Sequence, residues 1–327
     1  MEPEAVAADY RQVQSGSPAP EGERPAVAVL LCTYNGAEFL EEQLESIRRQ
    51  EADGVRVYAS DDHSTDATPA ILAAFRERWG EDRLVVHTGP GRGHVANFFS
   101  LICAPIEADY FAYADQDDVW DADKLSRALR ALASVDPEVP AIYCTRTRLM
   151  NQGGSPLGLS PLFKKPPEFS NALIHNIGGG NTMVLNRSAM QLLRTVGHVD
   201  VVSHDWWTYI LITGAGGRVI YDAEPSLCYR QHPRNLVGSS MSWRERFSRF
   251  FLALRGRNRA WNTRNTRALQ QARNWLTAEN RKVLDEFCHA RDATLVPRVL
   301  GIRRSGVYAQ SGWGSLSLMA ATFLKKL

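Results

Sequence analysis

The first half of the chain alternates between short apolar runs and segments with helical spacing. Residues 27–31 are continuously apolar, as in a buried parallel strand, and residues 37–50 then place apolar side chains at helical intervals. This alternation predicts an α/β fold with a mostly parallel, doubly wound sheet. The further predicted strands and helices are 55–59 with 68–79, 84–87 with 95–103, 110–114 with 122–134, and a strand at 141–145.

The 327 residues are enough for one large catalytic domain and an appended helical region. Residues 1–25 combine Glu with Ala, Ser, Gly and Pro, which predicts a disordered tail without a secretion signal. We place the catalytic domain at 26–238 and a C-terminal helical region at 239–327. The Gly- and Pro-rich stretch 151–167 is predicted to be a long loop.

Composition narrows the class of protein. No apolar stretch reaches the length of a membrane span, and a net charge of +2 gives no argument for nucleic acid as a partner. The five cysteines are odd in number and scattered, which favours buried thiols in a reducing cytoplasm over a disulfide framework. We therefore expect a cytoplasmic protein that does not span a membrane.

Polar and acidic side chains follow three of the predicted strands. These groups are Thr33-Tyr34-Asn35, Asp61-Asp62 and Asp115-Gln116-Asp117-Asp118. Ligands of doubly wound sheets bind beyond the carboxyl ends of the strands, so a ligand site is expected there. An alternative for Asp61 and Asp62 is a structural turn that caps the next helix.

The cluster that follows residues 110–114 offers oxygen ligands to a hard cation. Asp115 and Asp117 would suit Mg²⁺ or Mn²⁺, whose open positions would take the oxygens of a diphosphate. A solvated acidic loop that caps the following helix is the alternative. The placement of Asp115 and Asp117 after a buried strand, with Asp61 and Asp62 nearby, favours the metal site.

Five motifs in order resemble family 2 of the GT-A fold glycosyltransferases, and within it the bacterial rhamnosyltransferase-like members. The resemblance covers roughly residues 26–240. The motifs are Cys32-Thr33-Tyr34-Asn35-Gly36, Ser60-Asp61-Asp62-His63-Ser64-Thr65-Asp66, Ala114-Asp115-Gln116-Asp117-Asp118-Val119-Trp120, His204-Asp205-Trp206-Trp207 and Tyr229-Arg230-Gln231-His232. Each motif is short, and their order makes the match specific.

The resemblance implies a GT-A nucleotide-diphospho-sugar transferase fold and a role for each motif. Asp205 would be the catalytic base of an inverting transfer, and His232 would complete the metal site of Asp115 and Asp117. The donor nucleotide would contact Thr33, Tyr34, Asn35, Asp61, Asp62, Asp115 and Arg230. The donor would be dTDP-linked, with L-rhamnose as the sugar, and the acceptor a cell-surface glycan or a lipid-linked glycan.

Two other functions stay open from the residues alone. The run Asp115-Gln116-Asp117-Asp118-Val119 also fits the nucleophile motif of haloacid-dehalogenase-like phosphatases, although those enzymes carry it on their first strand. A sugar-nucleotide-binding protein without catalysis is the other alternative. The aromatic surroundings of Asp205 are equally compatible with a structural cap.

The stretch 243–264 is strongly basic and has apolar residues at helical intervals. Such a helix suits the anionic surface of the inner membrane, where a lipid-linked acceptor would lie. A helix that packs on the catalytic domain with a solvated basic face is the equal alternative.

Overall fold

The fold is taken from a computed structural model, which describes residues 25–232 and 257–327. Its main sheet has seven strands in the order β10-β6-β9-β4-β1-β2-β3. All neighbouring strands are parallel except β9, which runs antiparallel to both β4 and β6. The strands are β1 (Val27–Thr33), β2 (Val55–Asp61), β3 (Leu84–Thr88), β4 (Tyr110–Ala114), β6 (Ala141–Thr145), β9 (Val184–Asn186) and β10 (Arg218–Asp222).

Helices cover both faces of this sheet. Side chains of β1 alternate between the faces, so that Leu30 enters one hydrophobic core and Leu31 the other. On the Leu31 side lie α1 (Leu40–Arg48), α2 (Thr68–Trp79) and α4 (Lys124–Leu132). On the Leu30 side lie α3 (His94–Ile102), α5 (Phe169–Ala172), α6 (Arg187–Val196) and α7 (His204–Gly214).

A second, four-stranded sheet with the order β5-β11-β7-β8 flanks the carboxyl edge of the main sheet. Its strands are β5 (Val119–Trp120), β7 (Arg148–Asn151), β8 (Pro156–Leu159) and β11 (Leu227–Gln231). Since β5 follows the Asp115–Asp118 turn directly and β11 ends next to His232, their pairing brings these distant segments together.

Four helices form the described C-terminal part: α8 (Arg257–Gln271), α9 (Ala278–Asp292), α10 (Leu295–Arg304) and α11 (Gly312–Phe323). Their buried side chains, including Leu269 and Phe287, belong to the same core as those of α3, α6 and α7. The catalytic sheet and these helices therefore share one apolar interior. Within the described ranges, no helix is long and apolar enough to cross a membrane.

The predicted doubly wound sheet and the C-terminal helices are confirmed, and the strands and helices before residue 146 lie within three residues of their predicted ends. The predicted loop 151–167 contains β8, an exposed edge strand in which Pro156 and Gly158 weaken the strand pattern. The tail 1–24, the boundary at 238 and most of the basic stretch 243–264 lie outside the described residues.

Asn186 joins the antiparallel strand β9 to its surroundings. Its Oδ1 accepts hydrogen bonds from the backbone N–H groups of Ala189, where it caps α6, and of Ala141 at the start of β6, both at 2.9 Å. Its Nδ2 donates to the carbonyl of Val139 at 2.8 Å. One buried side chain thus fixes the end of β9, a helix start and a strand start.

We expect Asn186→Ala to lower the free energy of unfolding by about 2–4 kcal/mol, because a helix cap is lost and a buried N–H of β6 loses its acceptor. Asn186→Asp keeps both accepted bonds and should cost less. Thr277→Ala removes only the cap of α9, a bond of 3.2 Å to the N–H of Asn280, and should cost about 1 kcal/mol. Urea unfolding measures all three; equal losses for Asn186→Ala and Thr277→Ala would contradict the bridging role.

Candidate active site

The carboxyl ends of β1, β2 and β4 lie side by side. Thr33 is in register with Asp61, and Leu31 is in register with Ala114, the residue before Asp115. Three of the predicted polar groups therefore converge at one edge of the sheet, as the parallel arrangement requires.

A hydrogen-bond network joins the first two groups. The Thr33 hydroxyl donates to Asp61 Oδ1 at 2.8 Å, and the backbone N–H of Ser64 donates to Asp61 Oδ2 at 2.9 Å. Asn35, which has a positive φ of 47°, donates its N–H to the Ser64 hydroxyl and accepts from the N–H of Thr65, both at 2.8 Å. The network fixes the Asp61 carboxylate at the carboxyl end of β2.

Tyr34 is held by its backbone while its ring stays free of the core. Its N–H donates to Gln116 Oε1 at 2.8 Å, and Gln116 Nε2 donates to its carbonyl at 3.1 Å. The side chain is 59% exposed. Gly36 is required next to these two hydrogen bonds, since a Cβ at this position would lie 2.2 Å from Gln116 Oε1.

Asp62 differs from Asp61 in its surroundings. Its side chain is 5% exposed, and its oxygens accept the backbone N–H groups of Gly91 at 2.6 Å and Gly93 at 2.8 Å. Asp62 therefore holds the glycine-rich loop before α3. Its contact with a donor nucleotide stays a prediction.

The acidic turn after β4 separates into two parts. Asp115 and Asp117 are partly exposed, whereas Asp118 is fully buried and accepts from Asn181 Nδ2 at 2.5 Å. Burial, with the nearby carboxylates of Asp117 and Asp205, raises the pKa of Asp115 to about 8. Burial also raises the pKa of Asp118 well above its usual value. The raised pKa values indicate that the carboxylates of this turn have too little positive charge around them to stabilise their ionised forms.

His232 and Arg230 reach the acidic turn from β11. His232 Nε2 lies 2.8 Å from Asp117 Oδ2, and its ring stacks on Phe39 at 5.4 Å between centroids. Arg230 is 3% exposed; its guanidinium donates to the carbonyls of Asp117 at 3.1 Å and Gln152 at 2.9 Å. It also pairs with Glu42 at 2.5 Å.

Arg230 thus lies beneath the site and supports the backbone of Asp117. A direct contact with a donor phosphate would require exchange of these partners, so the predicted nucleotide contact of Arg230 stays a prediction.

Asp205 opens α7 on the opposite wall of the site. Its Oδ2 accepts from Asn176 Nδ2 at 3.0 Å and from the N–H of Gly180 at 3.1 Å. Sequence reasoning missed both partners, because they lie in irregular chain 25 and 29 residues upstream. The charge of Asp205 contributes, after burial and Asp117, to the raised pKa of Asp115, so the two carboxylates lie near each other.

The donor atoms fit a divalent cation, although the site is not preassembled. Asp117 and His232 already lie at hydrogen-bond distance, and Asp115 has an elevated pKa that a cation would relieve. Among the residues that the structure describes, no three His, Cys, Asp or Glu side chains converge closely enough to hold a metal.

Comparison with known proteins agrees with this geometry. The family model for glycosyl transferase family 2 matches residues 28–192, half of the chain. The dTDP-rhamnosyl transferase RfbG of Shigella flexneri is 28% identical over 234 residues, which cover 68% of this chain and 78% of RfbG. The putative teichuronic acid biosynthesis glycosyltransferase TuaG of Bacillus subtilis is 31% identical over 168 residues, or 50% of this chain and 63% of TuaG.

Two solved structures share the fold. The mannosyltransferase PcManGT of Pyrobaculum calidifontis, in complex with GDP-Man and Mn²⁺, has a TM-score of 0.52 and 20% identity, over 99% of this chain and 93% of its own. TarS of S. aureus with UDP-GlcNAc has a TM-score of 0.54 and 15% identity, over 92% and 89%.

The doubly wound sheet and the C-terminal helices have the GT-A fold that the sequence predicted. The chain belongs to glycosyl transferase family 2. This family membership argues against the phosphatase alternative for the Asp115 motif.

His204 precedes Asp205 and is buried between two aromatic rings. Its ring stacks on Phe98 at 3.6 Å and meets the edge of Tyr113 at 4.9 Å, and neither ring nitrogen has a hydrogen-bond partner among the described residues. Burial lowers the pKa of His204 to about 4. The neutral ring is therefore the form that fits the fold.

Between pH 6.5 and 4 the unfolded chain binds a proton at His204 that the folded chain rejects, so stability should fall as the pH falls through this window. The contribution is about 3 kcal/mol at the acidic end. His204→Phe should remove that share of the pH dependence in urea unfolding at pH 7.5 and 4.5. Burial also lowers the pKa of His175 to about 4. The same unfolding measurements on His175→Phe therefore serve as a comparison. An unchanged pH dependence in His204→Phe would contradict the assignment.

Proposed function

We propose that the protein is an inverting, metal-dependent glycosyltransferase that moves L-rhamnose from dTDP-L-rhamnose onto a cell-surface polysaccharide or lipopolysaccharide acceptor. The observation that carries the reaction type is the grouping of Asp115 with the Asp117–His232 pair and with Asp205, whose charge acts on Asp115. The similarity to a dTDP-rhamnosyl transferase supports the donor, and the similarity to a putative teichuronic acid glycosyltransferase supports a glycan acceptor.

The nucleotide of the donor binds at the ends of β1 and β2 in this proposal. The exposed Tyr34 ring offers a surface on which a base stacks, and Asp61 offers a fixed carboxylate to a base N–H or a ribose hydroxyl. Thr33 fixes the Asp61 carboxylate directly, and Asn35 does so through Ser64, whose hydroxyl accepts the Asn35 N–H and donates to Asp61 Oδ1.

The diphosphate then extends toward the acidic turn. Asp115, Asp117 and His232 would hold Mg²⁺ or Mn²⁺, which neutralises the charge of the diphosphate as it leaves. A cation is favoured there because burial and two neighbouring carboxylates act on Asp115. Arg230 fixes the Asp117 backbone from below and so keeps this ligand in place.

Asp205 acts as the base toward the acceptor. Its carboxylate takes the proton of the acceptor hydroxyl while that oxygen bonds to the anomeric carbon, and the bond from that carbon to the diphosphate oxygen breaks on the opposite face. The product is a glycoside of inverted configuration and a nucleoside diphosphate. Asn176 and the Gly180 N–H fix Oδ2 of Asp205 for this step.

We place the reaction at the cytoplasmic face of the inner membrane, where a lipid-linked glycan acceptor would be available. The strongly basic stretch 243–264 supports this setting. In its described part, Trp261 packs edge-on against Trp206 at 6.2 Å, so this portion of the stretch contacts the catalytic domain.

Asp205→Asn should keep donor affinity and lower kcat by about 10²–10⁴-fold, because the amide accepts no proton. Donor consumption with an acceptor glycan, or with water in its absence, measures kcat, and titration calorimetry measures donor binding. Asp285→Asn, at a surface carboxylate paired with Arg273, is the matched control and should keep full activity. Undiminished turnover in Asp205→Asn would exclude this residue as the base.

Asp117→Ala should weaken donor binding in the presence of Mn²⁺ by about tenfold or more and abolish the dependence of binding on Mn²⁺. Thermal stabilisation by dTDP-L-rhamnose, UDP-GlcNAc and GDP-mannose, each with and without Mn²⁺, measures this effect and ranks the donors. Asp136→Ala, a carboxylate outside the site, is the control. Preference for another donor would overturn the rhamnose assignment, and binding without turnover in any acceptor mixture would indicate an inactive binding protein.

A further inference from the structure

Helices α10 and α11 expose large apolar side chains to solvent. Val296 is 67% exposed and Trp313 is 61% exposed. Contiguous exposed apolar surface of this kind marks an interaction site in a stable protein. The exposed residues of the two helices and the turn after them, here called the apolar face, are Leu295, Val296, Leu300, Trp313, Leu316, Met319, Phe323 and Leu324.

The spacing on α11 puts its members of the apolar face on one side. Trp313, Leu316 and Phe323 follow at intervals of three and seven residues, and the buried Ala321 and Thr322 lie on the other side. Residues 312–323 contain no charged residue. The helix is therefore apolar toward both the core and the solvent.

Arg298 fixes α10 against the end of α11. Its side chain is buried, with Nη1 donating to the carbonyl of Thr322 at 3.0 Å and Nη2 donating to the carbonyl of Ala293 at 2.7 Å. This contact places the start of α10, with Leu295 and Val296, beside the end of α11, with Phe323 and Leu324. The apolar face is thus shared by two helices in a fixed arrangement.

The segment that carries this face is basic, with Arg298 buried and Arg304 paired with Glu286. Residues 293–327 contain five basic residues and no acidic one: Arg298, Arg303, Arg304, Lys325 and Lys326. The sequence of α8 carries four arginines and no acidic residue. A groove of about 510 Å³ runs along α8 and is lined by Asp200, Arg259, Ala260, Thr263, Arg264 and Arg267.

Arg291 connects the groove to the apolar face. Its Nε donates to the carbonyl of Leu327 at 3.1 Å, and its Nη2 donates to the Thr263 hydroxyl at 2.6 Å. Helix α8 also contacts the segment before Asp205, because Asn265 Oδ1 accepts the N–H of Val202 at 3.1 Å. Arg291 and α8 therefore link the end of the C-terminal helices to the chain that leads to Asp205.

We propose that the apolar face docks into the interfacial region of an anionic lipid bilayer, with Arg259 and Arg267 of the groove binding lipid head-group phosphates. An apolar side rich in Trp, Phe and Leu, flanked by basic residues, is the composition that binds such surfaces. A second copy of the chain is a poorer occupant, because each copy would bring the same excess of positive charge to the contact.

This docking rests on the membrane location in the proposed function and names the apolar face as the surface that contacts the membrane. It would present a lipid-linked acceptor on the side of Asp205. Vesicle binding needs neither donor nor acceptor. The docking and the proposed transfer reaction can therefore fail separately.

The test is flotation of the full chain with phosphatidylcholine vesicles and with vesicles that also contain phosphatidylglycerol. We expect binding to the anionic vesicles, and weaker binding at high salt because of screening. The triple variant Trp313→Ser, Met319→Ser, Phe323→Ser should lose binding at least about tenfold. The double variant Arg259→Glu, Arg267→Glu should lose about fivefold or more per site.

Two matched controls address other surfaces. Leu159→Ser with Leu162→Ser alters exposed leucines outside the C-terminal helices, and Arg56→Glu with Arg130→Glu alters exposed arginines of the catalytic sheet and α4. Both should bind vesicles like the parent chain. Absence of binding by the parent, or equal losses in the controls, would overturn the proposal.

Sedimentation velocity and donor binding complete the test. If the apolar triple variant changes the oligomeric state and leaves vesicle binding intact, the face is a contact between copies and the proposal is wrong. Unchanged donor binding in both variants would show that the loss of vesicle binding does not arise from misfolding.

Discussion

Repulsion among buried carboxylates is the constraint on which the site depends. Asp115 and Asp118 are buried and lie near other carboxylates, so the pKa of each is raised and its neutral form is favoured. The fold offsets part of the cost of ionisation with hydrogen bonds, such as that from Asn181 to Asp118. A cation bound beside Asp115 would favour its ionised form, which is the physical basis of the metal site proposed above.

The four-stranded sheet brings a second, distant chain segment to the acidic turn. The turn after β4 passes directly into β5, whose partner β11 ends next to His232 and carries Arg230. The histidine therefore reaches Asp117 from a segment 115 residues later in the chain. Arg230 supports the same turn through its bond to the Asp117 carbonyl. The pairing of β5 with β11 therefore brings the His232 ring and the Arg230 guanidinium to the acidic turn.

The sequence predicts the elements whose pattern is local and misses those set by distant contacts. Strand β1 and helix α2 could be predicted because apolar runs and helical spacing are properties of neighbouring residues. Strand β9 has three residues, and its antiparallel insertion depends on partners in β4 and β6. Likewise, the order of motifs predicts a role for Asp205, whereas its hydrogen-bond partners Asn176 and Gly180 carry no signal of their own. The inward orientation of Asp118, next to the outward Asp117, also follows from burial and not from spacing.

The C-terminal helices connect to Asp205, the proposed base, through the segment that precedes Asn176. Gln310 exchanges hydrogen bonds with the backbone of Lys165, each at 3.0 Å, and Asn171 Nδ2 donates to the carbonyl of Tyr308 at 2.8 Å. This anchored segment leads to Asn176, whose amide holds Oδ2 of Asp205. The same helices carry the apolar face, so this face and the segment that holds Asp205 are joined by packed chain. The polar groups at the ends of β1 and β2 are held by a separate set of hydrogen bonds.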